Sequence, residues 1–265
     1  MHHAWVTTNL LDLRAEPRHD SERLSQLFFR EIVTVEKEQD GFSWIAQADG
    51  YSGWVDSRFL QRVGGTEEME KWRTGNAVVI APTATLYDRL GQETVSPHIL
   101  YYGTKLNVRF SRGTLSRVIM PGGQAVFIKS RHIAPIKKRG TPVTGTRLVG
   151  EGRRFLGVPY LWGGVTVTGF DCSGFVRTVC SRFGVYLPRD TKEQIMAGEA
   201  VTRERIRTGD LLFFERHVGF AVGRTHVLHA SRGSGGVRLN ALTVGLPDYR
   251  EDLDRDFIQA RRVTP

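Results

Sequence analysis

The sequence predicts a multidomain chain in which two small all-β barrels precede an α+β domain. Three observations predict it. The first half matches itself at one constant offset, each copy alternates short β-rich runs with turn signals, and the second half changes to helical periodicity. At 265 residues the chain has room for roughly one to three domains. Its 40% hydrophobic and 25% charged residues are those of a globular chain able to bury a sizeable core.

Sliding the sequence by 73 residues brings Leu27-Phe28-Phe29 onto Leu100-Tyr101-Tyr102, Val33 and Val35 onto Leu106 and Val108, and Leu13 onto Leu86. The same shift lays Trp54-Val55-Asp56-Ser57-Arg58-Phe59-Leu60 over Phe127-Ile128-Lys129-Ser130-Arg131-His132-Ile133. One offset held across about 50 residues is the mark of a duplication. The expected strands are residues 32–35, 44–46 and 54–55 in the first copy, and 77–80, 105–110 and 125–128 in the second. Asp40-Gly41, Asp49-Gly50 and Pro121-Gly122-Gly123 supply turns. The copies are assigned to residues 1–63 and 75–136. Lys137-Lys138-Arg139-Gly140-Thr141-Pro142 then reads as a basic, solvated linker before a third domain, residues 144–265.

In that third domain residues 146–155 suggest a helix. A second is marked by Phe175, Val176, Val179, Cys180 and Phe183 at three and four spacing, stopped by Gly184 and Pro188. Three strands are expected at residues 210–214, 218–222 and 226–230, and Gly233-Ser234-Gly235-Gly236 reads as a loop, with no lysine or following helix to make it a phosphate cradle.

Composition narrows the function classes. Thirty-seven Lys and Arg against 28 Asp and Glu leave +9, which suits an acidic partner without choosing one. No basic groove with stacked aromatics is evident, so nucleic acid is not expected. The two cysteines, Cys172 and Cys180, lie eight apart. On one helix that is ~12 Å, beyond disulfide reach. A four-cysteine zinc site is equally excluded, and no metal or cofactor is implied. No run of 18 apolar residues occurs and residues 1–12 lack a leader pattern, so a cytoplasmic protein without membrane contact is expected.

Cys172 falls in the first turn of the second helix, where free N–H groups and the helix dipole favour a thiolate. A cysteine nucleophile needs a base, and the base needs an orienting partner. His217 and His229 sit on consecutive strand runs, and period-two alternation separates His229 from His226. His217 and His229 share a face only if the intervening turn has an odd number of residues, such as Gly223-Arg224-Thr225, or carries a bulge. Cys180, on the apolar side of the helix, reads as a buried hydrophobe.

Asp49-Gly50-Tyr51-Ser52-Gly53-Trp54-Val55 followed by Leu60 resembles the closing signature of bacterial SH3-like domains; the second copy has Phe127 where the first has Trp54. Six further motifs resemble, in order, those of the NlpC-type cell-wall cysteine peptidases: Gly157-Val158-Pro159-Tyr160-Leu161-Trp162-Gly163-Gly164, Gly169-Phe170-Asp171-Cys172-Ser173-Gly174-Phe175, Leu187-Pro188-Arg189-Asp190, Gly209-Asp210-Leu211-Leu212-Phe213-Phe214, His217-Val218-Gly219 and His229-Ala230-Ser231. The resemblance spans residues 147–262 and implies a papain-like catalytic domain. Cys172 is then the nucleophile, His217 the general base and acid, and His229 the residue that orients His217. Tyr160 and the Cys172 N–H become candidates to stabilise the oxyanion.

The whole layout resembles the γ-D-glutamyl-L-diamino acid endopeptidases (dipeptidyl peptidase VI), which release L-Ala-γ-D-Glu from murein stem peptides with a free N-terminal alanine. By that resemblance Glu31 and Tyr51 of the first SH3-like domain match the residues that recognise the amine, and Trp162, Asp171 and Ser173 match pocket residues. Thr191 stands where the group commonly has serine, and Arg30 stands before Glu31 where it usually has glycine. The first copy alone carries the recognition pair, since the shift places Thr104 opposite Glu31 and Gln124 opposite Tyr51. The implied partner is a murein peptide containing lysine or diaminopimelate. A noncatalytic wall-binding protein is the competing expectation.

Overall fold

The computed structural model describes residues 1–264 except 66–68, 70–74, 89–90, 95–96 and 122, with backbone alone at 111–112. Two compact units result, Met1–Ile136 and Lys137–Pro265. The expected turn at Gly122 lies outside the described residues.

The first half of the amino-terminal unit is one antiparallel sheet of β1 (His2–Val6), β2 (Leu10–Arg14), β3 (Arg23–Phe28), β4 (Ile32–Gln39), β5 (Phe42–Ala46), β6 (Ser52–Asp56) and β7 (Leu60–Arg62). Their order across the sheet is β3-β2-β6-β5-β4-β1-β7. Alternation aims Leu11, Leu13, Val33 and Val35 inward, onto a core with Leu27, Ile45 and Val55. Bulges between Leu13 and Arg14 and between Val35 and Lys37 bend the sheet around that core.

The second half repeats these elements as β8 (Ala77–Val79), β9 (Thr83–Thr85), β10 (Ile99–Tyr101), β11 (Lys105–Leu106), β12 (Val108–Arg112), β13 (Leu115–Ile119), β14 (Ala125–Lys129) and β15 (Ile133–Pro135). The 73-residue shift carries β5 onto β13, β6 onto β14 and β7 onto β15 without a register error. It also carries the Ser43–Ser57 hydroxyl pair (2.8 Å) onto Ser116–Ser130 (3.0 Å). Backbone conformation repeats as well: Gly50 at φ +85° recurs as Gly123 at +86°, and Arg30 at +66° as Gly103 at +97°. Phe29 leaves the first half to join the second core, with Leu86, Leu100 and Ile128.

The carboxy-terminal unit packs helices on an antiparallel sheet. Its helices are α1 (Gly145–Arg153), α2 (Cys172–Ser181), α3 (Thr191–Gln194) and α4 (Glu251–Arg255). A two-stranded ladder, β16 (Val165–Thr166) with β17 (Gly169–Phe170), precedes α2. The main sheet comprises β18 (Glu199–Val201), β19 (Leu211–Phe214), β20 (His217–Val222), β21 (His226–Ser231), β22 (Gly236–Ala241) and β23 (Phe257–Arg262), in the order β18-β23-β19-β20-β21-β22. Phe175 of α2 meets Phe220 edge-on at 5.8 Å, and Phe155 and Phe170 close the same aromatic cluster. The other face packs Leu212, Phe214, Ala221, Val227 and Ala260 under Leu253 of α4. The sequence predicts three strands here. The structure adds β18, β22 and β23, whose mixed burial gives no clean two-residue period.

Candidate active site

Cys172 begins α2 because Asp171 caps it. Asp171 is extended (φ −89°, ψ 175°), and its Oδ1 accepts the Gly174 N–H at 2.7 Å. The carboxylate is held in turn by the Gly163 N–H at 2.9 Å and by the Arg189 fork, at 3.2 Å to Oδ1 and 2.5 Å to Oδ2. Ser173 Oγ donates to Asp171 at 3.2 Å and accepts from Arg189 at 2.8 Å. Arg189, almost wholly buried, has no role in the sequence reading. A Cβ on Gly174 would meet the Gly164 carbonyl oxygen at 2.3 Å, so only glycine allows the helix start to approach this closely.

The Cys172 thiol lies 3.9 Å from the Thr191 hydroxyl and accepts hydrogen bonds from the backbone N–H of Val218 and Ser173. Burial pushes the thiol above its ordinary value, and the Asp171 carboxylate adds to this; the hydrogen bonds pull the other way. The favoured thiolate expected from the helix dipole is therefore outweighed by the loss of water around the sulfur. Cys180 is fully buried among apolar side chains, and its thiol is pushed far up by desolvation alone.

Between β20 and β21 the turn is Gly223-Arg224-Thr225, the odd-numbered case, with Val222 opposite His226 and Ala221 opposite Val227. His217 and His229 consequently meet, Nε2 to Nδ1 at 2.7 Å. Gly219 makes room, since a Cβ there would meet His229 Cβ at 2.8 Å and the Leu228 carbonyl at 3.0 Å. Beyond His229 the chain of polar contacts continues to Asn240 and to Ser234 of the loop expected at Gly233-Ser234-Gly235-Gly236. His229 Nε2 lies 2.9 Å from Asn240 Oδ1, Asn240 Nδ2 donates to the Asp248 carbonyl at 3.1 Å, and Ser234 Oγ donates to Asn240 Oδ1 at 3.2 Å. Arg250 donates to Ser234 Oγ at 2.7 Å and pairs with Asp252. Burial lowers His217 to about 3, with His229 next in effect, and lowers His229 to about 4 against the raising bond to Asn240. His226 stands apart, paired with Thr225 Oγ1 at 2.9 Å.

The remaining candidates divide by unit. Tyr160 lies in the field of Cys172 and Asp171, and burial with those two groups raises its phenol, which therefore stays an O–H donor. Trp162 is 56% exposed. In the amino-terminal unit Glu31 accepts the Phe28 N–H at 3.1 Å and the Gln47 amide at 2.5 Å, while the Gln47 N–H donates to the Tyr51 carbonyl at 2.8 Å. Gln47 thus ties Glu31 to Tyr51. Tyr51 also packs against the first core. Arg30 keeps the turn that glycine would make by adopting φ +66°, and its buried guanidinium donates to the Lys105 carbonyl at 3.1 Å.

Among the described residues no cluster of three or more His, Cys, Asp or Glu could hold a metal, and no helix is long and apolar enough to cross a membrane.

Residues 157–253 match the NlpC/P60 family and residues 13–60 match the bacterial dipeptidyl-peptidase SH3 domain. The chain is 30% identical over 258 residues to the gamma-D-glutamyl-L-lysine dipeptidyl-peptidase of Bacillus cereus, covering 90% of this chain and 74% of that protein. It is 29% identical to the protein of the same name from Bacillus subtilis, covering 90% and 82%. The crystal structure of an NlpC/P60 family protein from Bacillus cereus has the same fold, with TM-score 0.84 at 23% identity over 99% of this chain and 100% of the other. The chain therefore belongs to the NlpC/P60 family of peptidases and carries a bacterial dipeptidyl-peptidase SH3 domain at its amino-terminal end.

Proposed function

We propose that this protein is a cysteine peptidase of murein recycling that cuts the bond between γ-D-Glu and the L-diamino acid of stem peptides with a free N-terminal L-Ala. Its parts are two SH3-like domains and a papain-like catalytic domain. The observation that carries the reading is the Cys172 thiol set against the Val218 N–H at the start of β20, one residue from His217, with His217 in contact with His229.

In this reading the thiol proton passes to His217 as sulfur attacks the γ-carbonyl carbon. The carbonyl electron pair moves to oxygen, where the Cys172 N–H and the Tyr160 hydroxyl donate to it. The pair returns, the carbon–nitrogen bond breaks, and the departing amine takes the proton from His217. Water, giving a proton to His217, then cleaves the thioester, and that proton returns to sulfur as L-Ala-γ-D-Glu leaves. Asp171 and Ser173, committed with Arg189, hold the start of α2 in place. Thr191 and Trp162 contribute to substrate contact, and Glu31 with Tyr51 reads the free amine. A blocked amine would leave a carboxylate without its counter-charge.

An affinity label tests this. L-Ala-γ-D-Glu carrying a chloromethyl ketone in place of the scissile amide is expected to modify Cys172 and abolish activity, the N-acetylated label reacting much more slowly. Labelling that spares Cys172, or is indifferent to acetylation, would count against it.

A further inference from the structure

Asn240 has an orientation that the surrounding backbone dictates. Its Nδ2 faces the Asp248 carbonyl oxygen at 3.1 Å, and a carbonyl oxygen can only accept. That same oxygen also accepts the Ala241 N–H at 3.1 Å, so both its lone pairs are used. Turning the amide over would set two oxygens against each other. The other end agrees. Ser234 Oγ accepts from Arg250 at 2.7 Å, leaving its own proton for Asn240 Oδ1 at 3.2 Å. Oδ1 therefore points at His229.

An oxygen facing His229 Nε2 at 2.9 Å requires a proton on that nitrogen. Neutral imidazole carries one N–H, so His229 Nδ1 is bare and accepts. The nitrogen 2.7 Å away, His217 Nε2, must then donate. That leaves His217 Nδ1 without a proton.

We propose that Asn240 is a positioning residue of the reaction: held by the Asp248 carbonyl and the Ser234 hydroxyl, it fixes His229 and through it His217 as Nε2–H tautomers, so that His217 Nδ1 is the atom that takes the Cys172 proton. The role of the proton acceptor rests on the peptidase reading above; the tautomers do not. After transfer, His217 carries N–H on both nitrogens and His229 keeps its own, so no contact in the chain reverses. The sequence offers no signal for this residue, because Asn240 stands opposite Val227 and reaches His229 only diagonally across β21 and β22.

The test is a two-bond proton–nitrogen correlation spectrum of the whole protein with nitrogen-15 histidine, which distinguishes protonated from bare ring nitrogens. At neutral pH both His217 and His229 are expected as Nε2–H. Asn240→Ala is expected to move His229 toward Nδ1–H and to lower kcat by at least about tenfold with KM changed less than about twofold. Asn240→Asp keeps an acceptor for the His229 Nε2–H but sets a carboxylate oxygen against the Asp248 carbonyl, so it is expected to keep the wild-type tautomers with only part of kcat. Circular dichroism checks that each variant folds, and if Asn240→Ala does not, the wild-type spectrum alone decides. His217 or His229 found as Nδ1–H in the wild type, or Asn240→Ala with unchanged tautomers and kcat, overturns the proposal. A wild type with the expected tautomers that cleaves no stem peptide overturns the peptidase reading instead.

Discussion

His217 and His229 meet edge to face, Nε2 to Nδ1 at 2.7 Å with ring planes 74° apart. Both are held below the ordinary value of 6.5, to about 3 and about 4. As pH falls through this window the unfolded chain takes up protons that the folded protein refuses, so stability falls with pH by about 1.4 kcal/mol per unit for each group. Urea midpoints measured between pH 7 and pH 4 are expected to drop more steeply for the wild type than for His229→Gln. Equal slopes would show that the pair is not held neutral by folding.

The raised Cys172 thiol and the lowered imidazoles describe a resting site without an ion pair, in which the proton moves only as sulfur attacks. Alkylation of Cys172 by iodoacetamide is accordingly expected to be slow at pH 6 and to climb through the ordinary thiol value of 9.0. A rate already on a plateau between pH 5 and pH 8 would mean a thiolate–imidazolium pair at rest.

Arg189 and Asp171 form a buried pair beneath the nucleophile. Arg189→Met leaves the carboxylate without its partner and is expected to cost about 3–5 kcal/mol in unfolding free energy. Adding Asp171→Asn should recover part of that loss by removing the stranded charge. A single variant within about 1 kcal/mol of wild type would show that the Gly163, Ser173 and Gly174 donors suffice.

Gly219 is required by space, since its backbone φ lies outside the left-handed region. Gly219→Ala would press a methyl on the Leu228 carbonyl and His229 Cβ, displacing one strand from the other. Activity is expected to fall by at least about tenfold through misplacement of the imidazole pair. Wild-type kcat in this variant would remove the packing argument for the glycine.

Local signals explain what the sequence makes legible. A helix start is written within a few residues, so Asp171, Cys172 and the apolar stripe behind them can be read directly. The repeat is legible because β5 to β7 and β13 to β15 keep their spacing to the residue. Whether His217 and His229 meet depends on the parity of one turn, which the sequence narrows but does not decide. Asn240 and Arg189 reach the site across strand register and loop closure; Asn240 leaves no pattern within its own segment, and Arg189 stands in the Leu187-Pro188-Arg189-Asp190 motif without a role that the motif alone reveals. Arg30 shows the reverse case: a residue that departs from the expected glycine while the backbone keeps the glycine conformation, its side chain buried against Lys105.

Mass spectrometry of the products from L-Ala-γ-D-Glu-L-Lys and its diaminopimelate counterpart, each with a free and an acetylated amine, tests the central claim most directly. The wild type is expected to release L-Ala-γ-D-Glu from the free-amine peptides and far less from the acetylated ones, and Cys172→Ala to release none. Dipeptide appearing with Cys172→Ala, or cleavage at a different bond, would contradict it.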